Sequence, residues 1–300
     1  MKAPVRIPAK APAKVPMKSP AKASNPAGRA GVVAVLVLAA VYSLLPVWWL
    51  VVSATKSSSD LFSSNGFWFA GRIELVHNVS TLLGVQDGIF GRWVLNSLLY
   101  AVGGAVVATL LSAMAGYALA KYTFRGREAV FNTVLGAILV PAPLFALPLY
   151  LMFSATHVVN TFWAVFIPSI VSPFGVYLAR IYAAAAVPDE LLEAGRIDGA
   201  GEFRIFRSLA LRVLQPSLVT IFLFQFVTIW TNYLLPSLML ANDRLQPVTV
   251  GLVAWKEQRG QTVPYNLIIT GALLSVVPIV VMFLLLQRHW KAGLTSGSVK

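Results

Sequence analysis

The chain contains no cysteine, and acidic residues are scarce, with 11 Asp and Glu against 24 Lys and Arg. The lack of cysteine excludes a disulfide framework, a thiolate metal site and a cysteine nucleophile. Its three histidines, His77, His157 and His289, lie far apart in sequence, so we expect neither a catalytic nor a metal centre built on them. Only 12% of the residues are charged and 57% are hydrophobic, whereas soluble domains are about 25% charged. The composition therefore indicates a membrane protein rather than a soluble enzyme.

Charged residues are missing from five long stretches, which are 30–55, 93–120, 129–179, 213–242 and 260–287. Roughly 20 helical residues cross a bilayer core about 30 Å thick. Four stretches fit one span each, and 129–179 fits two with a break at His157 to Asn160. The sequence therefore predicts an all-α polytopic membrane protein with five core helices and a more peripheral first one. The six predicted spans are about 31–53, 94–120, 129–153, 162–183, 214–240 and 266–287.

The first uncharged stretch has an alternative interpretation as a signal peptide. Val52-Ser53-Ala54 resembles the small-residue site at which a signal peptidase cleaves. The apolar core of a signal peptide spans roughly 7–15 residues, and this stretch is longer. We therefore predict an uncleaved first span.

Basic residues are concentrated on one side of the predicted membrane. The segments 1–30, 121–128, 180–212 and 288–300 share that side and contain 18 of the 24 Arg and Lys. Cytoplasmic segments are enriched in these residues. The distribution predicts a multi-pass protein of a bacterial inner membrane with both termini in the cytoplasm, where 288–300 forms a short tail.

Residues 1–30 form an arm rich in proline and lysine. A basic residue recurs at every fourth position from Lys2 to Lys22, and a proline at every fourth position from Pro4 to Pro20. Proline at that spacing excludes a helix, so the pattern predicts a disordered arm. Anionic lipid attracts such an arm by about 1 kcal/mol per charge near the surface. Because no aromatic residue separates the basic ones, we expect membrane lipid and not nucleic acid as its partner.

The predicted spans contain no Lys, Arg, Asp or Glu at mid-depth, where ion-driven carriers usually keep ionisable groups. The chain also lacks a glycine-rich loop ending in Gly-Lys-Ser or Gly-Lys-Thr, so it does not hydrolyse ATP by that route. We therefore predict that the chain is not an enzyme, that it binds no cofactor itself, and that any energy source lies on another protein.

The charged segment 187–216 separates the fourth and fifth predicted spans. Pro188 and Asp189 are typical of a helix start, and Gly199 and Gly201 permit a sharp turn. We expect Leu191, Leu192 and Ile197 to form part of an apolar face before the turn. After the turn, the spacing predicts a helix with one apolar stripe, made of Phe203, Phe206, Ala210 and Val213. Such a segment is either a solvated connector or a helix-turn-helix that docks into a soluble subunit.

This segment resembles the permease subunits of ABC importers, which carry the pattern E-A-A-x3-G-x9-I-x-L-P. Gly195 stands in place of the second alanine, Leu209 in place of isoleucine and Arg212 in place of the proline. We expect the start of the fifth span to differ from the family and the docking face before Gly199 to be retained. The pattern is matched by Glu193, Ala194, Gly195, Gly199, Leu209, Leu211 and Arg212.

Further stretches resemble the second permease of carbohydrate importers of the maltose and glycerol-phosphate type, over about 31–300. The resemblance implies a coupling loop at 187–212 inside a permease domain at 31–287. It implies as partners an ATP-binding-cassette ATPase dimer that carries ATP and Mg, a second, different permease and an extracytoplasmic solute-binding protein. The stretches are VLNSLLYAVGGAVVATLLSAMAGYALAKYTFRGR, VNTFWAVFIPSIVSPFGVYLAR, EAGRIDGAGEFRIF, WTNYLLP and GLTSGSVK.

The resemblance assigns the ATPase contact to one short cytoplasmic helix. Glu193 and Asp198 are its expected polar contacts and Gly199 its turn, and Ala194 and Gly195 complete the coupling residues. Without the resemblance, Asp198-Gly199 is an ordinary turn and Glu193 a solvated side chain on a helix.

Candidates for the transport path are polar or aromatic residues within the fourth and fifth spans. A neutral sugar is held by aromatic stacking and by hydrogen bonds from amides and hydroxyls. Trp230 and Tyr233 have an alternative role as anchors at the membrane interface or in packing. The candidates are Ser172, Gln225, Trp230, Asn232 and Tyr233.

Two other functions compete with a permease subunit. A stand-alone carrier accounts for six spans but leaves 187–216 without a role. A membrane-embedded enzyme, such as a lipid transferase, needs catalytic residues clustered at one membrane face. The sequence shows no such cluster outside the charged segment.

Overall fold

The computed structural model describes residues 26–257 and 263–295, with side chains for 29–257 and 263–287. Most of the predicted arm and the last five residues of the predicted tail lie outside the described residues. The chain divides into two compact units, Met1–Val47 and Trp48–Lys300. In the described ranges the secondary structure is entirely helical, without strands.

Fifteen α-helices follow one another in the described residues. Two π-helical segments, Leu99–Gly103 and Phe206–Ala210, join α4 to α5 and α11 to α12. The helices are α1 (Pro26–Ala54), α2 (Ser58–Ser63), α3 (Leu75–Gly84), α4 (Ile89–Leu98), α5 (Gly104–Lys121), α6 (Arg127–Leu139), α7 (Ala146–Ala155), α8 (Phe162–Ser169), α9 (Pro173–Ala186), α10 (Asp189–Ile197), α11 (Glu202–Ile205), α12 (Leu211–Trp230), α13 (Leu234–Met239), α14 (Val248–Glu257) and α15 (Tyr265–Thr295).

Five helical stretches are long and apolar enough to cross a membrane, and α6 with α7 makes a sixth if that bent pair is one span. This confirms the prediction of an all-helical polytopic membrane protein. The five stretches are Arg29–Ala54, Leu75–Lys121, Phe162–Ala186, Glu202–Trp230 and Tyr265–Gln287.

The third predicted span, 129–153, is not one straight helix. Helix α6 ends at Leu139, and the axis of the helical stretch that follows is turned by 101°. Pro141 and Pro143 lie at the bend. Proline lacks an N–H and its ring clashes with the preceding turn, so a helix does not continue straight through such a pair.

The fourth and fifth predicted spans are also interrupted. Helices α8 and α9 are separated by residues 170–172, and Pro173 begins α9. The fifth span was predicted to reach residue 240, but α12 ends at Trp230 and α13 is a separate short helix. Pro236 has no N–H to donate to the carbonyl of Asn232, and that carbonyl accepts a bond from Thr249 Oγ1 at 3.0 Å.

The end of α1 is buried where the signal-peptide interpretation places a cleavage site. Val52, Ser53 and Ala54 are at most 1% exposed. The carbonyl of Ala54 accepts a hydrogen bond from Asn78 Nδ2 at 2.9 Å. These contacts join the end of α1 to α3, and the uncleaved first span stays a prediction.

The centre of the larger unit is a three-helix contact of α5, α9 and α12. A Cβ atom built on Gly116 of α5 would lie 2.5 Å from the Cβ of Ala179 and 2.6 Å from the backbone nitrogen of Arg180 in α9. The absence of a side chain at Gly116 therefore allows the two backbones to approach closely.

Two clusters of buried apolar side chains lie in this unit. One is formed around Trp93, Phe226 and Trp230. The other joins Tyr117 of α5 to Leu192 of α10 and Ile205 of α11. The second cluster attaches the charged segment to the bundle and so fixes the position of the candidate site.

Candidate functional site

Helix α10 is amphipathic and its charges complement the helix dipole. Asp189 and Glu190 lie in its first turn and Arg196 in its last, so each charge faces the helix end of opposite sign. Leu192 is 2% exposed and belongs to the second core cluster. One face of α10 is therefore packed and the other is free to present polar groups.

The turn after α10 is a Schellman motif centred on Gly199. The N–H of Gly199 donates to the carbonyl of Arg196, and the N–H of Ala200 donates to the carbonyl of Gly195, both at 3.0 Å. Gly199 has φ +76°, a left-handed conformation that glycine adopts without a steric penalty. The backbone conformation thus accounts for the glycine that the sequence pattern singled out.

Gly195 is the point at which the two arms of the segment touch. A Cβ there would lie 3.1 Å from Leu209 Cδ1 and 3.2 Å from Ile205 Cγ1. Leu209 and Gly195 are two of the positions at which the chain departs from the family pattern. The two departures face each other, because the side chain of Leu209 packs over the position that a Cβ of residue 195 would take.

The predicted apolar stripe of the second arm is partly wrong. Phe206 and Ala210 are buried as predicted, but Phe203 is 68% exposed and Ile205 is fully buried in its place. The π-helical segment that begins at Phe206 carries one more residue per turn than an α-helix, so spacing by α-helical periodicity fails across it. Ile197, expected on the packed face of α10, is also exposed, at 86%.

Ionic contacts that the sequence analysis did not find attach the segment to the end of α5. Lys121 Nζ lies 2.7 Å from Asp189 Oδ1. Glu202 receives Arg196 Nε at 2.7 Å and the Tyr122 hydroxyl at 2.7 Å. Burial, together with the bond to Glu202, raises the pKa of Tyr122. Arg196 and Glu202 are six residues apart, a spacing that brings side chains together only because the Gly199 turn intervenes.

An exposed surface remains around the turn, which we call the coupling face: Glu193, Ala194, Ile197, Asp198, Gly199 and Phe203. Of the five sequence-predicted coupling residues, four lie on it and Gly195 lies beneath it. Ile197 and Phe203 expose large apolar side chains beside two carboxylates. A surface with apolar side chains at its centre and charged side chains at its rim has the composition of a protein interface.

Two of the five predicted path residues lie at the break between α8 and α9. Ser172 caps α9, where its Oγ accepts from the N–H of Gly175 at 3.2 Å. Gln225 of α12 donates from Nε2 to the carbonyl of Ser169 at 2.9 Å. That carbonyl lies just before the break, and the glutamine amide from the neighbouring helix satisfies it.

The other three path candidates lie at the end of α12. The ring of Trp230 is 2% exposed, and its Nε1 donates to the carbonyl of Ser275 at 3.1 Å. Asn232 Oδ1 accepts from the N–H of Leu235 at 3.4 Å, whereas the ring of Tyr233 is 40% exposed. The structure therefore brings the candidates together as two groups rather than one.

Within the described residues, no group of three or more His, Asp and Glu side chains is placed to hold a metal ion. The fold and the candidate site together define a polytopic helical membrane protein with interrupted spans and a compact charged segment between α9 and α12.

The chain belongs to the family of binding-protein-dependent transport system inner membrane components, whose profile matches residues 108–295. It is 34% identical over 265 residues to the arabinooligosaccharides transport system permease protein AraQ of Halalkalibacterium halodurans, covering 86% of this chain and 91% of that protein. It is 28% identical to the lactose transport system permease protein LacG of Rhizobium radiobacter, covering 89% of this chain and 94% of that protein.

A solved structure shows the same fold. It is a chain of a bacterial ABC transporter involved in the import of the acidic polysaccharide alginate, with a TM-score of 0.77 and 20% sequence identity. The match covers 89% of this chain and 98% of that chain. The chain is thus a multi-pass permease subunit of an ABC importer, and not itself an enzyme.

Proposed function

We propose that this permease, together with a second, different permease, forms the translocation path of an importer for a sugar or a related neutral polar solute. The relatives named above transport arabino-oligosaccharides and lactose, which are neutral. The predicted spans of this chain offer no Lys or Arg at mid-depth to hold an acidic sugar. A solute-binding protein would deliver the solute, and a separate ATPase dimer would bind ATP and Mg.

The coupling face is the proposed contact with the ATPase. The observation that carries this proposal is the exposure of Ile197 and Phe203 on a segment whose opposite face is packed into the second core cluster. Glu193 and Asp198 supply charges at the rim, and Gly199 fixes the turn. Lys121 and Tyr122 bind this segment to the end of α5. A displacement of the coupling face would therefore move α5, which packs against α9 and α12.

We further propose that the bent pair α6 and α7 is the third of six spans. This count places α10 and both termini on the same side of the membrane, and the excess of Arg and Lys on that side supports a cytoplasmic location. The coupling segment then lies between spans four and five, on the side where an ATPase has access to ATP.

The proposed path follows the breaks in the spans. Helix breaks free backbone carbonyls, which need polar neighbours inside a membrane. Gln225 and Ser172 lie at the break between α8 and α9. Trp230, Asn232 and Tyr233 lie further along, at the end of α12, where Tyr233 is the aromatic ring with the greatest exposure of the group.

The test is affinity purification of the tagged chain from its native membrane. We expect an ATPase subunit and a second permease to be recovered with it. The double variant Ile197→Glu with Phe203→Glu is expected to lose the ATPase and the uptake of sugar, while the second permease is still recovered.

The matched control is Ile73→Glu, which places a glutamate on an apolar residue just before α3 that is 68% exposed, as Phe203 is, and it is expected to retain the ATPase. Recovery of the chain alone would contradict the proposed function. Full ATPase recovery with the double variant would contradict the assignment of the coupling face.

A further inference from the structure

The loop after α2 folds back along α1. Trp48 Nε1 donates to the carbonyl of Phe67 at 3.0 Å, and Gly66 lies beside the indole of Trp49. Trp48 is six residues before the end of α1 at Ala54, a distance of about 9 Å along a helix axis. The loop therefore runs back toward the apolar part of α1 rather than away from it.

This loop carries a cluster of aromatic side chains, which we call the aromatic loop: Phe67, Trp68 and Phe69 with Trp48 of α1. The ring of Trp48 lies 6.3 Å from that of Trp68 and 5.7 Å from that of Phe69, measured between centroids. Trp68 is 64% exposed and Phe67 is 55% exposed. Adjoining rings with this exposure form an apolar patch of the kind that marks a binding surface.

A buried lysine holds the aromatic loop in place. Lys56 is fully buried, and its Nζ donates to the carbonyl of Asn65 at 2.6 Å. The carbonyl of Lys56 accepts from Asn78 Nδ2 at 2.9 Å. In the described part of the chain no carboxylate pairs with Lys56. Burying an ammonium group is costly unless it is hydrogen-bonded, so this lysine is well placed to fix the backbone just before the rings.

The aromatic loop lies at the level where α1 leaves the apolar core. About twenty uncharged residues precede Trp49 after Arg29, which is the length that crosses a bilayer core. A second aromatic pair, Phe62 and Tyr265, meets edge to face at 6.2 Å where α15 begins its apolar stretch. Two candidate spans thus change from apolar to polar sequence beside aromatic rings.

We propose that the aromatic loop is a fixed anchor in the lipid head-group region. It lies on the side of the membrane where the C-terminal end of α1 emerges. Tryptophan is enriched at this level in membrane proteins because its ring is apolar and its N–H is polar. The proposal depends on membrane insertion and not on the transported solute.

The test uses the absence of cysteine from this chain, so an introduced cysteine is the single labelling site of the permease. Spin labels are attached at Trp68→Cys and Phe67→Cys in the full-length chain, purified in nanodiscs of phosphatidylethanolamine and phosphatidylglycerol with its accompanying subunits, in which any cysteine has been replaced. The collision rate of each label with oxygen is compared with its collision rate with a water-soluble nickel chelate. Ser59→Cys, in the polar run of α2, is the aqueous reference, and Val277→Cys, exposed in the middle of α15, is the lipid reference.

We expect the ratio of oxygen to nickel collisions at 67 and 68 to lie between the two references. A ratio equal to that of Ser59→Cys would overturn the proposal, because the loop would then stand in water. Shielding from both reagents would also overturn it and indicate a protein partner. In the variant Lys56→Met we expect greater mobility of the label at 68, and unchanged mobility would contradict the role of Lys56 in fixing the loop.

Discussion

Gly199 is the residue at which sequence pattern and structure agree most closely. Its left-handed φ and the Schellman bonds around it show that the glycine serves the backbone, since a Cβ there would meet no heavy atom within 4 Å. A substitution therefore acts through conformation and not through a steric clash with neighbours.

We expect Gly199→Val to abolish ATP-dependent uptake while the chain still inserts into the membrane. A left-handed conformation costs a residue with a Cβ about 1–2 kcal/mol, and valine is β-branched, so the turn and the coupling face change shape. Uptake of radiolabelled sugar in cells, set beside the amount of chain in the membrane, measures both effects.

Gly201→Ala is the matched control for this prediction. Gly201 has φ −68° and also has open space around its Cβ position, so alanine fits without strain and uptake should be retained. Normal uptake with Gly199→Val would exclude a coupling role for the turn.

Side-chain positions around Gly199 were predictable only in part. Glu193 and Asp198 are exposed, as expected from their charge, and their contact with an ATPase stays a prediction. The pairing of Arg196 with Glu202 was not predictable, because it depends on the path of the turn between them. Phe203 was expected in the packed stripe, whereas Ile205 is buried there. A hydropathy pattern does not reveal the π-helical turn that causes this difference.

At the scale of helices, the contact between α5 and α9 depends on Gly116. The Cβ position of this residue is occupied by the backbone of α9, which does not give way as the end of a flexible side chain would. The close contact explains why a helix with such strong apolar character contains a glycine in its interior.

We expect Gly116→Ala to lower the thermal stability of the purified permease and its yield. Overpacking a well-packed core costs typically about 1–3 kcal/mol, and here backbone atoms must separate. Fluorescence-detected size-exclusion chromatography after heating gives the melting temperature. Gly136→Ala in α6, where no atom lies within 4 Å of the added Cβ, should be as stable as the parent or more so; equal melting temperatures for both variants would contradict the proposed contact.

The positions of the spans were predictable from the length of the apolar stretches. Proline was the only sequence signal for the interruptions of the spans. A run of uncharged residues shows where a helix crosses, so the ends of α8 and α9 match the fourth predicted span to within a few residues. The 101° bend at Pro141 was beyond reach, since proline shows that a helix is interrupted and not in which direction it resumes.

At the scale of the whole molecule, the cysteine-free sequence makes the proposed orientation directly measurable. We expect Ser59→Cys to react with a membrane-impermeant maleimide in intact spheroplasts, because α2 lies on the side away from the cytoplasm. We expect Thr123→Cys, exposed in the loop between α5 and α6 on the same side as α10, to react only after the membrane is permeabilised. The reverse pattern would place α10 on the wrong side for an ATPase and would contradict the proposed coupling.

The two π-helical segments have a consequence for how the ends of the long spans are aligned. Each closes its turn with about one residue more than an α-helix uses, so the extra residue is accommodated with little change in the rotation of the helix that follows. Leu99–Gly103 and Phe206–Ala210 therefore keep the two halves of their helices in phase. Inserting one further residue after Ala210 would leave the apolar length of α12 intact and turn that helix by about 100° relative to the coupling face. The permease can thus lose its alignment with an ATPase without losing a single contact residue.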